Sequence, residues 1–181
     1  VARLSETGSS ASITALVARL CDTDVETRQV ASAALAKLAI QGDPAVIAMV
    51  RAHIEEGCAE TRAAALSAFV RVAHRGDSAV LDVVAGCLED EDDQVRSAAI
   101  EALVSFVERG DSIAVAAAAR RLEHREGQVR HAAACALAWL ARPGDGSVLA
   151  MLMQLLDDGV SQVRAAALGA LAALAERGDA E

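Results

Sequence analysis

The sequence predicts an all-α solenoid of five stacked antiparallel helix pairs, each 34 residues long, in a single domain over 1–181, and three observations carry that prediction. Glycines fall on a 34-residue grid at Gly8, Gly42, Gly76, Gly110 and Gly144, and Gly178 continues it; an Asp follows all but the first. An Arg recurs at one place in every period: Arg28, Arg62, Arg96, Arg130 and Arg164. Alanine makes up 43 of 181 residues while aromatics are 2%, so small methyl faces fill the core and helix axes approach closely. Alternation of apolar and polar residues is too rare for a sheet. The units run 8–41, 42–75, 76–109, 110–143 and 144–177, with a partial repeat at 1–7 and the start of another at 178–181.

Each unit opens on its Gly-Asp. The tripeptide Arg-Gly-Asp stands at 75–77, 109–111 and 177–179 and reads as punctuation: Gly as the C′ residue ending one helix, Asp as the cap of the next. Pro44, directly after Asp43, sits where a first helical position tolerates proline. Helix A follows with an apolar stripe, as in Val46, Ile47, Val50 and Ile54, or Val80, Leu81, Val84 and Leu88. A short polar turn comes next, for instance Glu89 to Asp93 or Asp157 to Gln162. The recurring Arg then stands at the start of helix B beside acidic residues. A ladder of ion pairs and carbonyl bonds tying neighbouring units is expected there, each pair worth little unless partly buried. Helix B carries the stripe Val95, Ala99, Ala102, Leu103 and Phe106, spaced i, i+4, i+7, i+8, i+11, which is one buried face.

The string "QVRSAAIEALVSFVERGD" at 94–111, echoed by "QVRHAAACALAWLARPGD" and "QVRAAALGALAALAERGD", resembles HEAT repeats, in particular the short type named after phycobilisome lyases. The likeness spans essentially the whole chain and is specific for architecture. It implies a right-handed, armadillo-like superhelix with B helices on the concave face and A helices on the convex one. Thr27 and Thr61 replace the Val before the Arg, and the first unit has Gly8-Ser9 for Gly-Asp.

Composition narrows the function. A net charge of -9 and a pI near 4.9 exclude a general nucleic-acid binder, which needs a basic footprint to displace counterions. No stretch of 18 apolar, uncharged residues occurs, so a soluble domain without direct membrane insertion is expected. Cys21, Cys58, Cys87 and Cys135 fall at four different places in the repeat, in no CxxC pair, and read as free thiols of a reducing compartment. Val1 to Leu4 align with Leu35 to Leu38, and Gly8 with Gly42, so the chain reads as part of a longer array.

Catalysis finds no support in the motifs. His53 and His74 come from one unit and His124 and His131 from another, no nucleophile motif surrounds a Ser or Cys, and no phosphate-cradling glycine loop occurs. No cofactor is expected. His131 and Cys135, one turn apart, supply two metal ligands and no third. The acidic run Glu89 to Asp93 lacks the glycine and distal Glu of an EF-hand loop and reads as a solvated turn at the positive end of helix B.

The face of helix B left over by the core is the candidate binding surface. In the fourth unit it reads His131, Cys135, Trp139 and Arg142; in the second, Arg71 and His74 fall in the last two of these columns; in the third, Glu101 and Glu108. The sole Trp stands where the core pattern does not ask for one, and Trp beside Arg is hot-spot composition. The expected function is a non-enzymatic scaffold holding a protein partner on the concave face. A bilin lyase or chromophore chaperone subunit is the alternative the resemblance implies. A nucleic-acid-binding HEAT array is the other, disfavoured by charge.

Overall fold

A computed structural model describes residues 10–175. The Val1 to Leu4 alignment, Gly8 and the third Arg-Gly-Asp lie outside them. Ten α-helices and no strand run through the described residues: α1 Ser10–Ala18, α2 Val25–Leu38, α3 Pro44–Glu56, α4 Ala59–Val72, α5 Ser78–Gly86, α6 Asp93–Phe106, α7 Ser112–Ala119, α8 Gly127–Leu140, α9 Gly146–Gln154 and α10 Ser161–Leu174. Odd-numbered helices are A helices, even-numbered ones B helices. In four pairs helix A tightens into a terminal 3-10 turn, such as Cys87–Glu89. The A–B turns are therefore shorter than expected: Glu89 closes helix A, Asp93 opens α6 and Gln162 lies inside α10.

The core follows the expected stripes. In α6 the buried residues are Val95, Ala99, Ala102, Leu103 and Phe106, and the equivalent set is buried in α8. Leu20, Leu88 and Leu152 are fully buried from the A side. Successive B helices pack directly on one another, whereas successive A helices touch less. Ala at the B–B contact permits this close approach, which is in keeping with the concave B-helix face that the repeat resemblance implies.

The grid glycines have a different job from the one expected. Helix B ends at Leu38, Val72, Phe106 and Leu140, followed by an extended residue, so the Gly stands four residues past the helix and is not its C′ residue. Gly42, Gly76, Gly110 and Gly144 have φ of 80°, 81°, 87° and 75°. The following Asp N–H reaches back three residues, as in Asp43 N to Ile40 O at 3.1 Å and Asp111 N to Glu108 O at 3.0 Å. Glycine is thus the third residue of a type II turn, which requires positive φ there. The Gly N–H also donates to the end of helix B in its own pair: Gly42 to Val72 O at 2.7 Å, Gly110 to Leu140 O at 2.6 Å and Gly144 to Leu174 O at 2.8 Å. Those carbonyls have no partner within the helix. Arg75 and Arg109, just before the Gly, reach the same helix ends, Arg109 through Nε to Ala141 O at 2.6 Å. Asp43, Asp77, Asp111 and Asp145 cap α3, α5, α7 and α9 through amides two and three residues on. Arg-Gly-Asp is clasp, turn and cap.

The recurring Arg closes its own turn first. Arg28, Arg96, Arg130 and Arg164 donate through Nη1 to the carbonyl six residues back, at 2.6 to 2.8 Å; Arg62 reaches Gly57 O at 3.1 Å. The carboxylate partner comes from the following unit and not from the neighbouring turn. Arg62 forks onto Asp90 at 2.9 and 2.6 Å, and Arg130 onto Asp158 at 2.7 and 2.9 Å. The equivalent residue opposite Arg96 is His124, which carries no carboxylate.

Candidate functional site

Small residues on the outward face of the B helices leave open troughs along the concave surface. One of about 530 Å³ lies across α2, α4 and α6, lined by Ala63, Ser67, Arg71, Arg75, Glu101 and Ser105 among others. A second, of about 490 Å³, shares Ala63, Ser67, Arg71 and Glu101 and continues to Glu60 and Gln94. A third, of about 630 Å³, lies between α6 and α8 and holds His131, Cys135, Arg96 and the carboxylates of Glu91, Asp92 and Asp93. The structure therefore brings Arg71 and Glu101 together, and His131 with Cys135. The Cys135 Sγ is 3.8 Å from His131 Nε2.

Trp139 is 64% exposed, so the ring is not a core element. Its column holds Lys37, Arg71, Ser105 and Ala173, all at solvent. The remaining three expected residues are not on the helix face. His74, Glu108 and Arg142 stand two residues beyond the ends of α4, α6 and α8, in the loops. At α4 and α8 the last helical carbonyl, of Val72 and Leu140, accepts from the N–H of Gly42 and Gly110. A Cβ placed at Gly42 would overlap the His74 ring, and one at Gly110 the Arg142 side chain, so both side chains fold over glycines. Arg142 lines a separate groove between α7 and α9, with Val115 and Met151, on the A-helix side. The expected Trp139–Arg142 pairing is thus corrected.

Several trough residues escaped the sequence reading. Glu60, Gln94, Gln128 and Gln162 line the N-terminal edge of the concave surface. Their signal was the polar residue two before the recurring Arg, the Gln of the repeated "QVR". Ser67 stands in the Cys135 column of the face, whereas Arg75 had no such signal.

Among the described residues no three His, Cys, Asp or Glu side chains converge as a metal-ligand set, and the acidic run serves structure: Asp90 takes the Arg62 fork, Asp92 caps α6 and Glu89 pairs with Arg121 at 2.8 Å. All four cysteines are free. Burial pushes the Cys87 thiol up to about 11 and the Cys135 thiol upward as well, which keeps both protonated and weakly nucleophilic at neutral pH. No helix among the described residues is long and apolar enough to cross a membrane.

Known proteins resemble this architecture. Residues 54–138 match the model of HEAT repeats and residues 148–178 that of the HEAT repeat. The complex of CpcE and CpcF of phycocyanin lyase from Nostoc sp. PCC7120 is similar at 21% identity with a TM-score of 0.60, over 90% of this chain and 99% of that one. A designed armadillo repeat protein in complex with the peptide (KR)4 is similar at 17% identity with a TM-score of 0.50, over 91% of this chain and 82% of that one. No curated protein sequence matches.

Proposed function

We propose that this chain, a HEAT-repeat solenoid, is a non-enzymatic scaffold that holds a protein partner on its concave B-helix face. The observation that carries the reading is the row of concave groups the fold does not use. Trp139 stands in solvent, and Arg71 and Glu101 line the first two troughs without pairing with each other. A rigid stack presents such groups without rearranging, and an exposed Trp within a curved surface is what a partner buries best. The two similar structures support the reading in the same direction, since one is a complex of two proteins and the other a complex with a peptide.

Capture of the partner from the native source, after mild cross-linking, tests this. Glu101→Trp and Ser105→Trp, both at exposed positions, would plug the troughs and should reduce capture at least about tenfold, whereas Arg51→Ala on the convex side should leave it unchanged. Capture that survives both plugs and fails with a convex substitution would refute the concave reading. The second reading, a bilin lyase or chromophore chaperone subunit, is favoured by the near-complete coverage of the phycocyanin lyase chain. Visible absorbance that shifts on mixing with bilin would support it.

A further inference from the structure

We propose that the groove between α7 and α9, on the A-helix side, is a second docking surface that takes an amphipathic helix of a partner protein, its apolar stripe flanked by carboxylates. The composition of the two helices points this way first. α7, SIAVAAAA, and α9, GSVLAMLMQ, contain no charged residue. A surface helix ordinarily turns a polar face to water, as α3 does with Arg51 and Glu55 and α5 with Asp82. In α7 the column of Asp82 holds Ala116 and that of Arg51 holds Ala119. Ile113 is 52% and Met153 54% exposed, and Ala116 and Ala150 stand at solvent beside them. Two outer helices thus present apolar side chains where their neighbours present charges, and an apolar surface of this kind marks an interaction site.

Packing shapes that surface into a groove. α5 and α7 lie against each other, whereas α7 and α9 hardly touch. The gap between them is about 960 Å³, with Val115, Ala116, Ala119 and Met151 along it. A helix settles by setting its ridge of side chains into such a groove, with anchors at i, i+3 or i+4 and i+7. The alanines leave room for larger side chains from outside, and Met151 adapts its shape to them.

Charge selects the kind of helix. Arg120 and Arg142 line the groove and are exposed, and among the described residues neither side chain makes a hydrogen bond or ion pair. Of the two carboxylates in the groove, Asp145 is spent on capping α9, which leaves Glu123 against two cations. The adjoining units have Gly86 and Gln154 in the column of Arg120, and Glu108 in that of Arg142, so the cation pair belongs to this unit. On a chain of net charge -9, unit 110–143 is the one of the five with a positive balance, five Arg against three acidic residues. An acid-flanked helix is therefore attracted here and turned away from the rest of the surface. A broad anionic lipid surface would instead meet the charge of the whole chain.

This surface is separate from the concave face, so its test is independent of the scaffold reading. The probe is a fluorescein-labelled helical peptide with Leu along one stripe and Glu on both flanks, beside the same peptide with Lys for Glu. The Glu peptide should bind and weaken with salt. Ala116→Glu, at an exposed helical position, should weaken it at least about tenfold by placing a charge in the apolar contact. Arg120→Gln and Arg142→Gln should each weaken it about threefold. Arg125→Gln, the same change of charge at an exposed turn, and Glu101→Trp on the concave face should leave it unchanged. Far-UV circular dichroism checks that the variants fold. Preference for the Lys peptide, no binding of the Glu peptide at low salt, or binding indifferent to Ala116→Glu would each overturn the proposal. So would self-association in sedimentation velocity, or capture by vesicles of phosphatidylcholine and phosphatidylserine, that Ala116→Glu abolishes, since the groove would then belong to a second copy or to a membrane.

Discussion

Arg130 and Arg96 hold the same place in successive units, yet a single residue 28 positions on separates their fates: Asp158 against His124. Arg130 forks onto Asp158, and the two side chains are only 16% and 8% exposed. That fork, together with the Val160 amide, holds the Asp158 carboxyl down at about 2. A carboxyl depressed in the folded state stabilises the fold fully above its unfolded value of about 3.9, and that contribution drains away as pH falls toward 2. Urea melts at pH 5, 3.5 and 2.5 should therefore show a loss of stability on acidification that is smaller in Asp158→Asn; equal losses would contradict the assignment. Arg130→Ala should likewise destabilise more than Arg96→Ala, since only the first strands a carboxylate. The recurrence of the Arg was legible in the sequence because it repeats. Its partner was not, because the contact crosses between units and the residue opposite alternates between Asp and other types.

Helices show the same division between pattern and geometry. The stripe through Leu103 and Leu137 was readable from its 3.6-residue period alone, since a buried face needs nothing but spacing. Leu103→Ala should therefore cost about 2 to 5 kcal/mol, and more than Arg96→Ala; urea midpoints that reverse the order would contradict a packing-first account. Helix ends were less legible, because a glycine closing a helix and a glycine in a type II turn leave the same mark in sequence. Arg142 and His74 were consequently assigned to a helix face that ends before them. Gly76 and Gly110 test the corrected account. Both have φ above 80°, so alanine at either should cost about 1 to 2 kcal/mol from the backbone. A Cβ at Gly76 meets nothing, whereas one at Gly110 overlaps Arg142. Gly110→Ala should thus be the worse of the two in a wild-type background, and the gap should close when Arg142 is also replaced by Ala.

At the scale of the whole array, stability is set at the junctions, because each unit touches only its neighbours. The column of Trp139, with Lys37, Arg71, Ser105 and Ala173 in the other units, suggested an exposed position without deciding between an open ring and one folded over its neighbours, and which residues share a trough depends on the curvature of the stack and was not legible. The junctions are unequal. Arg–Asp forks clamp α4 to the turn before α6 and α8 to the turn before α10, and α4–α6 and α8–α10 are the tightest B–B contacts. Between α6 and α8 the packing is looser, and the residue awaiting Arg96 is His124. This His already performs half of the Asp's work: its Nδ1 accepts from Glu126 N at 3.2 Å, as Asp90 Oδ1 accepts from Asp92 N at 2.9 Å and Asp158 Oδ1 from Val160 N at 2.8 Å. What it lacks is the second oxygen and the charge. Glu89 lies 4.0 Å from its ring, but Arg121 pairs with that carboxylate at 2.8 Å, which limits the repulsion a new carboxylate would meet. His124→Asp should therefore let Arg96 fork as Arg62 and Arg130 do, raising the melting midpoint by about 2 to 4 °C if the clamp is worth about 1 kcal/mol. The gain should vanish in an Arg96→Ala background. A His124→Asp variant that melts no higher than wild type, or one that keeps its gain without Arg96, would show that the junction is governed by packing and not by the fork.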